Sequence, residues 1–140
     1  MKTTSVRKLA ADGGCSLYGD TSVQVCGVKI DSRICEPGYL FIAVKGENFD
    51  GHDYLENAYS NGCRAYLVSE ESKGLALLEK HPDAALMVCE DVTPSFEHMA
   101  AAYLGQFPDL KKVAVTGSVG KTTTKALVTA VLAEKYSVVC

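Results

Sequence analysis

No apolar run in this chain approaches the roughly 18 residues a membrane-spanning helix requires, and Met1-Lys2-Thr3-Thr4-Ser5 leads into no secretory hydrophobic segment. Membrane insertion and export are therefore not expected, and the chain reads as cytoplasmic. Clustered positive charge is also missing. A formal net charge of -3, with Lys and Arg scattered, lacks the basic face of an electrostatic nucleic-acid binder. There is no C-x-x-C pair and no His at zinc-ligand spacing, although Cys15, Cys26, Cys35, Cys63, Cys89 and Cys140 are present. A metal cluster is not expected. Cys26, Cys63 and Cys89 lie among Val, Leu and Ala, where a reduced thiol serves as a small buried hydrophobe rather than a catalytic or disulfide-forming group. Internal repeats and low-complexity tracts are absent too.

What is present suits a folded domain: 140 residues at 47% hydrophobic content are enough for one compact unit, with a second begun. Short apolar runs alternate with helix-like stretches, which predicts an α/β fold. A helix is expected over 5–11, capped by Thr4 or Ser5, and a half-buried strand over 23–30. Glu36-Pro37-Gly38 reads as a turn before a strand over 39–44. A helix over 53–60, capped near Asp53, then stops at Asn61-Gly62 before a strand over 65–68. Further on, a helix over 74–80, a strand over 84–89 and a helix over 94–104, opened by Thr93, are expected. Gln106-Phe107-Pro108-Asp109 interrupts the pattern and places a domain boundary between 1–108 and 109–140.

Beyond that break the chain reads as strand, glycine loop and helix: Lys111-Lys112-Val113-Ala114-Val115, then Thr116-Gly117-Ser118-Val119-Gly120, then Lys121-Thr122-Thr123-Thr124-Lys125. Phosphate oxygens need close backbone N–H donors, and Gly117 and Gly120 remove side chains that would hold the backbone away. Lys121 supplies a mobile positive charge for β and γ phosphates, and Thr122 a hydroxyl positioned for Mg²⁺. These roles fit ATP or GTP. The strict P-loop pattern wants another Gly five residues before Gly120, where Val115 stands, so the match to the general motif is incomplete. An ordinary glycine turn followed by a solvated lysine would share the glycines. Helical propensity, however, would not choose Thr122-Thr123-Thr124.

The run from Thr116 to Lys125 is similar to the ATP loop that opens the central domain of Mur ligases. Upstream, Asp31-Ser32-Arg33, then Pro37-Gly38-Tyr39-Leu40-Phe41-Ile42-Ala43, then Gly46-Glu47-Asn48-Phe49-Asp50-Gly51-His52 resembles the succession D-S-R, P-G-x-L-F-x-A and G-x-x-x-D-G-H of that family's uridine-nucleotide domain. Two motifs in the right order make coincidence improbable. Ser118 and Lys125 look more like the branch that adds D-alanyl-D-alanine than the one that adds a single diamino acid, whereas Val119 departs from the Asn or Ser often found there.

The resemblance implies an amino-terminal uridine-nucleotide-binding domain followed by the first strand, P-loop and helix of the ATP-binding domain. It implies a monomeric enzyme of peptidoglycan precursor synthesis that uses ATP and Mg²⁺ to phosphorylate the carboxylate of a UDP-N-acetylmuramoyl peptide; a D-amino-acid dipeptide then displaces phosphate. ATP contacts are implied at Gly117, Ser118, Val119, Gly120, Lys121, Thr122 and Thr123, with Thr122 also a metal ligand. Substrate contacts are implied at Ser32, Arg33, Glu47, Asn48 and Phe49. These could equally be a strand cap and a turn. His52 reads as a structural histidine rather than a base. No general base or nucleophile is assigned, because the chain stops at Val138-Val139-Cys140, in what looks like the next strand, before the rest of a three-domain enzyme; this piece alone is expected to be inactive. A ligase for a single diamino acid and a non-enzymatic nucleotide-binding module are the alternatives.

Overall fold

The computed structural model describes residues 1–139, leaving Cys140 outside the described residues. It divides into two compact units, Met1–Phe107 and Pro108–Cys140.

In the first unit, alternation decides the layers. Strands β5 (Tyr39–Ile42), β6 (Ala65–Val68) and β7 (Ala85–Val88) run parallel in the middle of a five-stranded sheet of order β2-β7-β6-β5-β4. Strand β4 (Gly27–Lys29) joins one edge in parallel, and β2 (Ser16–Gly19) the other antiparallel. Because successive strand residues face opposite sides, Leu40, Ile42, Ala65, Leu67, Ala85 and Met87 enter one core with Val6, Leu9, Val92 and Met99 of helices α1 (Val6–Gly13) and α4 (Val92–Gly105). Phe41, Tyr66, Val68 and Leu86 enter the other with Leu55, Ala58 and Leu77 of α2 (Leu55–Ser60) and α3 (Glu71–Lys80). Burial on both faces explains why these strands read as continuous apolar runs.

The elements expected within the first unit form, with informative shifts. Ser5 caps α1, its hydroxyl accepting from the Lys8 N–H. The run over 23–30 is two strands rather than one: at Cys26, whose N–H bonds to the Gly38 carbonyl at 2.7 Å, the chain leaves β3 (Gln24–Val25), paired with β1 (Thr4–Ser5), and enters β4. Strand β2 was not anticipated, since four residues mostly open to solvent carry no core pattern. Asp53 does not cap α2. Asp50 instead caps a 3-10 turn, Gly51–Tyr54, that leads into it. Helix α3 starts at Glu71 rather than Gly74, and α4 is opened by Asp91, whose carboxylate accepts from the Thr93 N–H at 2.9 Å. Pro94 then falls in the first turn, where no helical N–H is required.

The second unit contains helix α5 (Lys121–Ala133). Residues 111–115 form no ladder, contrary to the strand expected there, and neither do Val138 and Val139. Among the described residues of this unit no neighbouring strand offers the N–H and C=O partners a ladder needs. Leu127 and Val131 of α5 accordingly stand 65% and 73% exposed.

Candidate functional site

Two loops beyond the carboxyl ends of β4 and β5 build a cleft. After β4, Asp31 caps a 3-10 turn, Ser32–Ile34: its carboxylate accepts the Arg33 N–H at 3.0 Å and the guanidinium through Nε at 2.9 Å and Nη2 at 2.7 Å. The Arg33 side-chain bonds, then the backbone bond, hold Asp31 down at about 2. Ser32 is buried, and its carbonyl accepts from Asn61 Nδ2 at 2.9 Å, which ties the turn to the end of α2.

The second loop follows β5. Lys45 and Asp50 form a bridge and the Gly46 N–H donates to the Phe49 carbonyl at 2.9 Å, so Glu47 and Asn48 stand at the tip of a tight hairpin. Gly51 closes it. Its N–H donates to Val44 O at 2.9 Å, and an added Cβ would lie 2.8 Å from the Val44 backbone, so only glycine allows this approach.

Between these loops lies a cleft of about 560 Å³ lined by Ile30, Asp31, Ser32, Arg33, Phe41, Phe49, Gly51, Tyr54 and Asn57. That volume falls within the roughly 300–1,000 Å³ typical of small-molecule sites. A recess of about 180 Å³ beside His52 and Lys73 falls below it. The fold thus gathers Ser32, Arg33 and Phe49, whereas Glu47 and Asn48 occupy the same hairpin as Phe49 without lining the cleft. Sequence reasoning missed Ile30, Tyr54 and Asn57. Tyr54 and Asn57 are three apart, one helical turn, a spacing that could have signalled a shared face. Ile30, Phe49 and Tyr54 are 67%, 56% and 49% exposed, an apolar rim around polar groups at Ser32 and Arg33.

Asp50, His52 and Glu70 bring potential metal-ligand atoms within 4.8 Å of one another. Their lone pairs are already engaged. His52 Nε2 accepts from the N–H groups of Ser69 and Glu70 at 3.0 and 3.2 Å, while Glu70 pairs with Lys45 and Lys73 at 2.9 and 3.2 Å. The group is a structural network, and His52 is the satisfied histidine expected.

In the second unit, Gly120 adopts φ 79° immediately before α5, a left-handed position that glycine takes without strain, and a Cβ there would meet nothing within 4 Å. The first backbone bond of the helix runs from the Thr124 N–H to Gly120 O at 2.9 Å. The N–H groups of Lys121, Thr122 and Thr123 therefore lack helical partners and sit at the positive end of the helix dipole. Lys121 folds back so that Nζ donates to the Gly117 carbonyl, and Ser118 and Val119 are exposed in the loop between. This open loop suits phosphate oxygens, with the Thr122 hydroxyl available to hold a divalent cation beside them.

Comparison with known proteins places these loops in context. Residues 24–103 match the family described as Mur ligase family, catalytic domain. The chain is 35% identical over 112 residues to the UDP-N-acetylmuramoyl-tripeptide--D-alanyl-D-alanine ligase of Synechocystis, covering 80% of this chain and 23% of that protein. It is 36% identical over 112 residues to the UDP-N-acetylmuramoyl-L-alanyl-D-glutamate--2,6-diaminopimelate ligase of Phocaeicola vulgatus, covering 79% and 22%. The crystal structure of MurF from Acinetobacter baumannii superposes with a TM-score of 0.80 at 26% identity, over 96% of this chain and 28% of that one. MurF ligase from Thermotoga maritima in complex with ADP gives 0.65 at 32% identity, over 80% and 24%. The chain thus spans about a quarter of the length of these relatives. With the match extending over the cleft and its flanking strands, the chain belongs to the Mur ligase family.

Proposed function

We propose that this chain holds the uridine end of a UDP-N-acetylmuramoyl peptide in the cleft between Ser32 and Phe49, and the phosphates of ATP at Gly117–Thr123. The ligase of which it forms part adds D-alanyl-D-alanine to the peptide carboxylate. On this reading residues 1–108 are the substrate domain and 109–140 begin the ATP-binding domain. The observation that carries the proposal is the convergence of Ser32, Arg33 and Phe49 on one cleft from two loops that lie on either side of strand β5 in the sequence. Phe49 and Tyr54 offer apolar faces to a base, while Ser32 and Asn57 offer hydrogen bonds to its edges or to a ribose. Glu47 and Asn48, at the hairpin tip, would reach the ligand only from the rim.

At the second loop, the free N–H groups opening α5 and the Lys121 ammonium would neutralise the phosphates as a carboxylate approaches. Lys121 must leave the Gly117 carbonyl to do so. A cation held at Thr122 would supply further charge neutralisation. That the Thermotoga maritima relative was solved in complex with ADP supports nucleotide binding in this reading.

Amide-shift titration of the labelled chain with UDP, UMP and ATP tests the reading. UDP and UMP should move Ser32, Phe49 and their neighbours, and ATP should act at Gly117–Thr123. Shifts confined to Gly117–Thr123 at high UDP would show that the cleft is not the uridine site. Similarity to a diaminopimelate ligase supports a second reading, in which the amine is a single diamino acid. Assaying a ligase of full family length with D-alanyl-D-alanine against 2,6-diaminopimelate separates the two.

A further inference from the structure

Strand β2 pairs antiparallel with β7 in a register that sets Ser16 opposite Val88, so one step beyond the ladder Cys15 stands opposite Cys89. Directly opposed residues point to the same face, and both thiols pack against the same core, the one shared by α1 and α4. The Cys15 N–H bonds to Ala10 O and the Cys89 N–H to Val68 O, so neither is used between the two residues. Such opposed pairs hold their Cα atoms about 4.5–5.5 Å apart, within the roughly 4.4–6.8 Å a disulfide requires.

From this juxtaposition we propose that Cys15 and Cys89 are an oxidisable dithiol that hydrogen peroxide converts to a disulfide, fastening edge strand β2 to the sheet. One thiolate attacks a peroxide oxygen, the O–O bond breaks, and the first water leaves behind a sulfenic acid. The second thiol displaces its hydroxyl as a second water as the S–S bond forms. Two thiols are oxidised and one peroxide is reduced. Both cysteines are partly open to solvent, so a small oxidant can reach them. Cys35 and Cys63 also lie side by side, but at 5% and 0% exposure they are shut off from it. Burial foremost, then the charge of the neighbouring Cys89, pushes the Cys15 thiol up to about 11, which makes this a slowly oxidised pair rather than a rapid sensor.

The purified chain, reduced and then exposed to hydrogen peroxide under native conditions, is alkylated and digested without reductant. A peptide pair joined through Cys15 and Cys89, two hydrogens lighter than its reduced parts, is expected. Ser16 and Tyr18 amides, which face β7, should exchange more slowly in the oxidised chain, because β2 can no longer peel away. Cys15→Ser should remove the linked pair and Cys26→Ser should leave it intact. Cys89→Ala serves as the equivalent of the first variant if Cys15→Ser does not fold. Full alkylation of Cys15 and Cys89 after peroxide has oxidised the exposed Cys26, or linkage of either to a different cysteine, overturns the proposal.

Discussion

Asp50 Oδ1 stands 2.6 Å from His52 Nδ1, on a ring whose Nε2 accepts two backbone N–H groups. With Nε2 accepting, the ring N–H at Nδ1 faces the carboxylate. The arrangement also joins the start of the 3-10 turn to the end of β6, locking the base of the Phe49 hairpin against the sheet. His52→Ala would leave the partly buried N–H groups of Ser69 and Glu70 without their partner. A loss on the order of 3 kcal/mol is expected, measured by urea unfolding. A loss below half of that would mean that water replaces the imidazole easily.

Acid should undo the same network. Burial alone would raise Asp50, but the His52 N–H, the His52 ring and the Lys73 ammonium outweigh it and hold the carboxyl well below the usual range. A depressed folded value means the unfolded chain takes up protons first, so this contribution is complete above the ordinary aspartate value and is lost as pH falls below about 4. Thermal melts from neutral pH downward should show that decline. Asp50→Asn should flatten the acid limb, and an unchanged slope would remove Asp50 from the account.

Lys73 reaches Asp50, Asp53 and Glu70 at 3.1, 2.6 and 3.2 Å. Its side chain is 37% exposed, so solvent screens these pairs and Lys73→Met should change global stability little. Local effects should be larger. The hairpin over 45–50 loses an anchor, its amides should exchange faster, and UDP should bind several-fold more weakly by titration calorimetry. Equal UDP affinity with faster exchange would show that hairpin posture does not govern binding.

In a ligase of full family length carrying this segment, Lys121→Ala should reduce ATP-dependent turnover by about 100-fold or more, because a charge-assisted contact to the transferring phosphoryl group is worth on the order of 3 kcal/mol. UDP affinity should be unchanged in the same variant. Turnover close to that of the parent enzyme would sink the phosphate-loop reading.

The sequence by itself determined the α/β class, the buried strands and the glycine loop that leads into α5, because these rest on local rules. Alternating burial makes β5, β6 and β7 apolar on both faces, and Gly120 with the threonines after it specifies a left-handed step into a helix. The resemblance carried by Asp31-Ser32-Arg33 and the run Gly46 to His52 marked where the cleft would be and part of its lining, Ser32, Arg33 and Phe49. Only the tertiary structure decided that Tyr54 and Asn57 face Phe49 and that Asp50, rather than Asp53, caps the turn before α2. It also decided that the run over 23–30 is split between two sheets, and that Cys15 lies opposite Cys89. The split of that run and the cysteine pair depend on contacts between residues distant in sequence, where the chain's path sets the partner. A strand over 111–115 failed to form for the same reason: extended propensity is local, but the hydrogen-bond partners of a ladder belong to another segment.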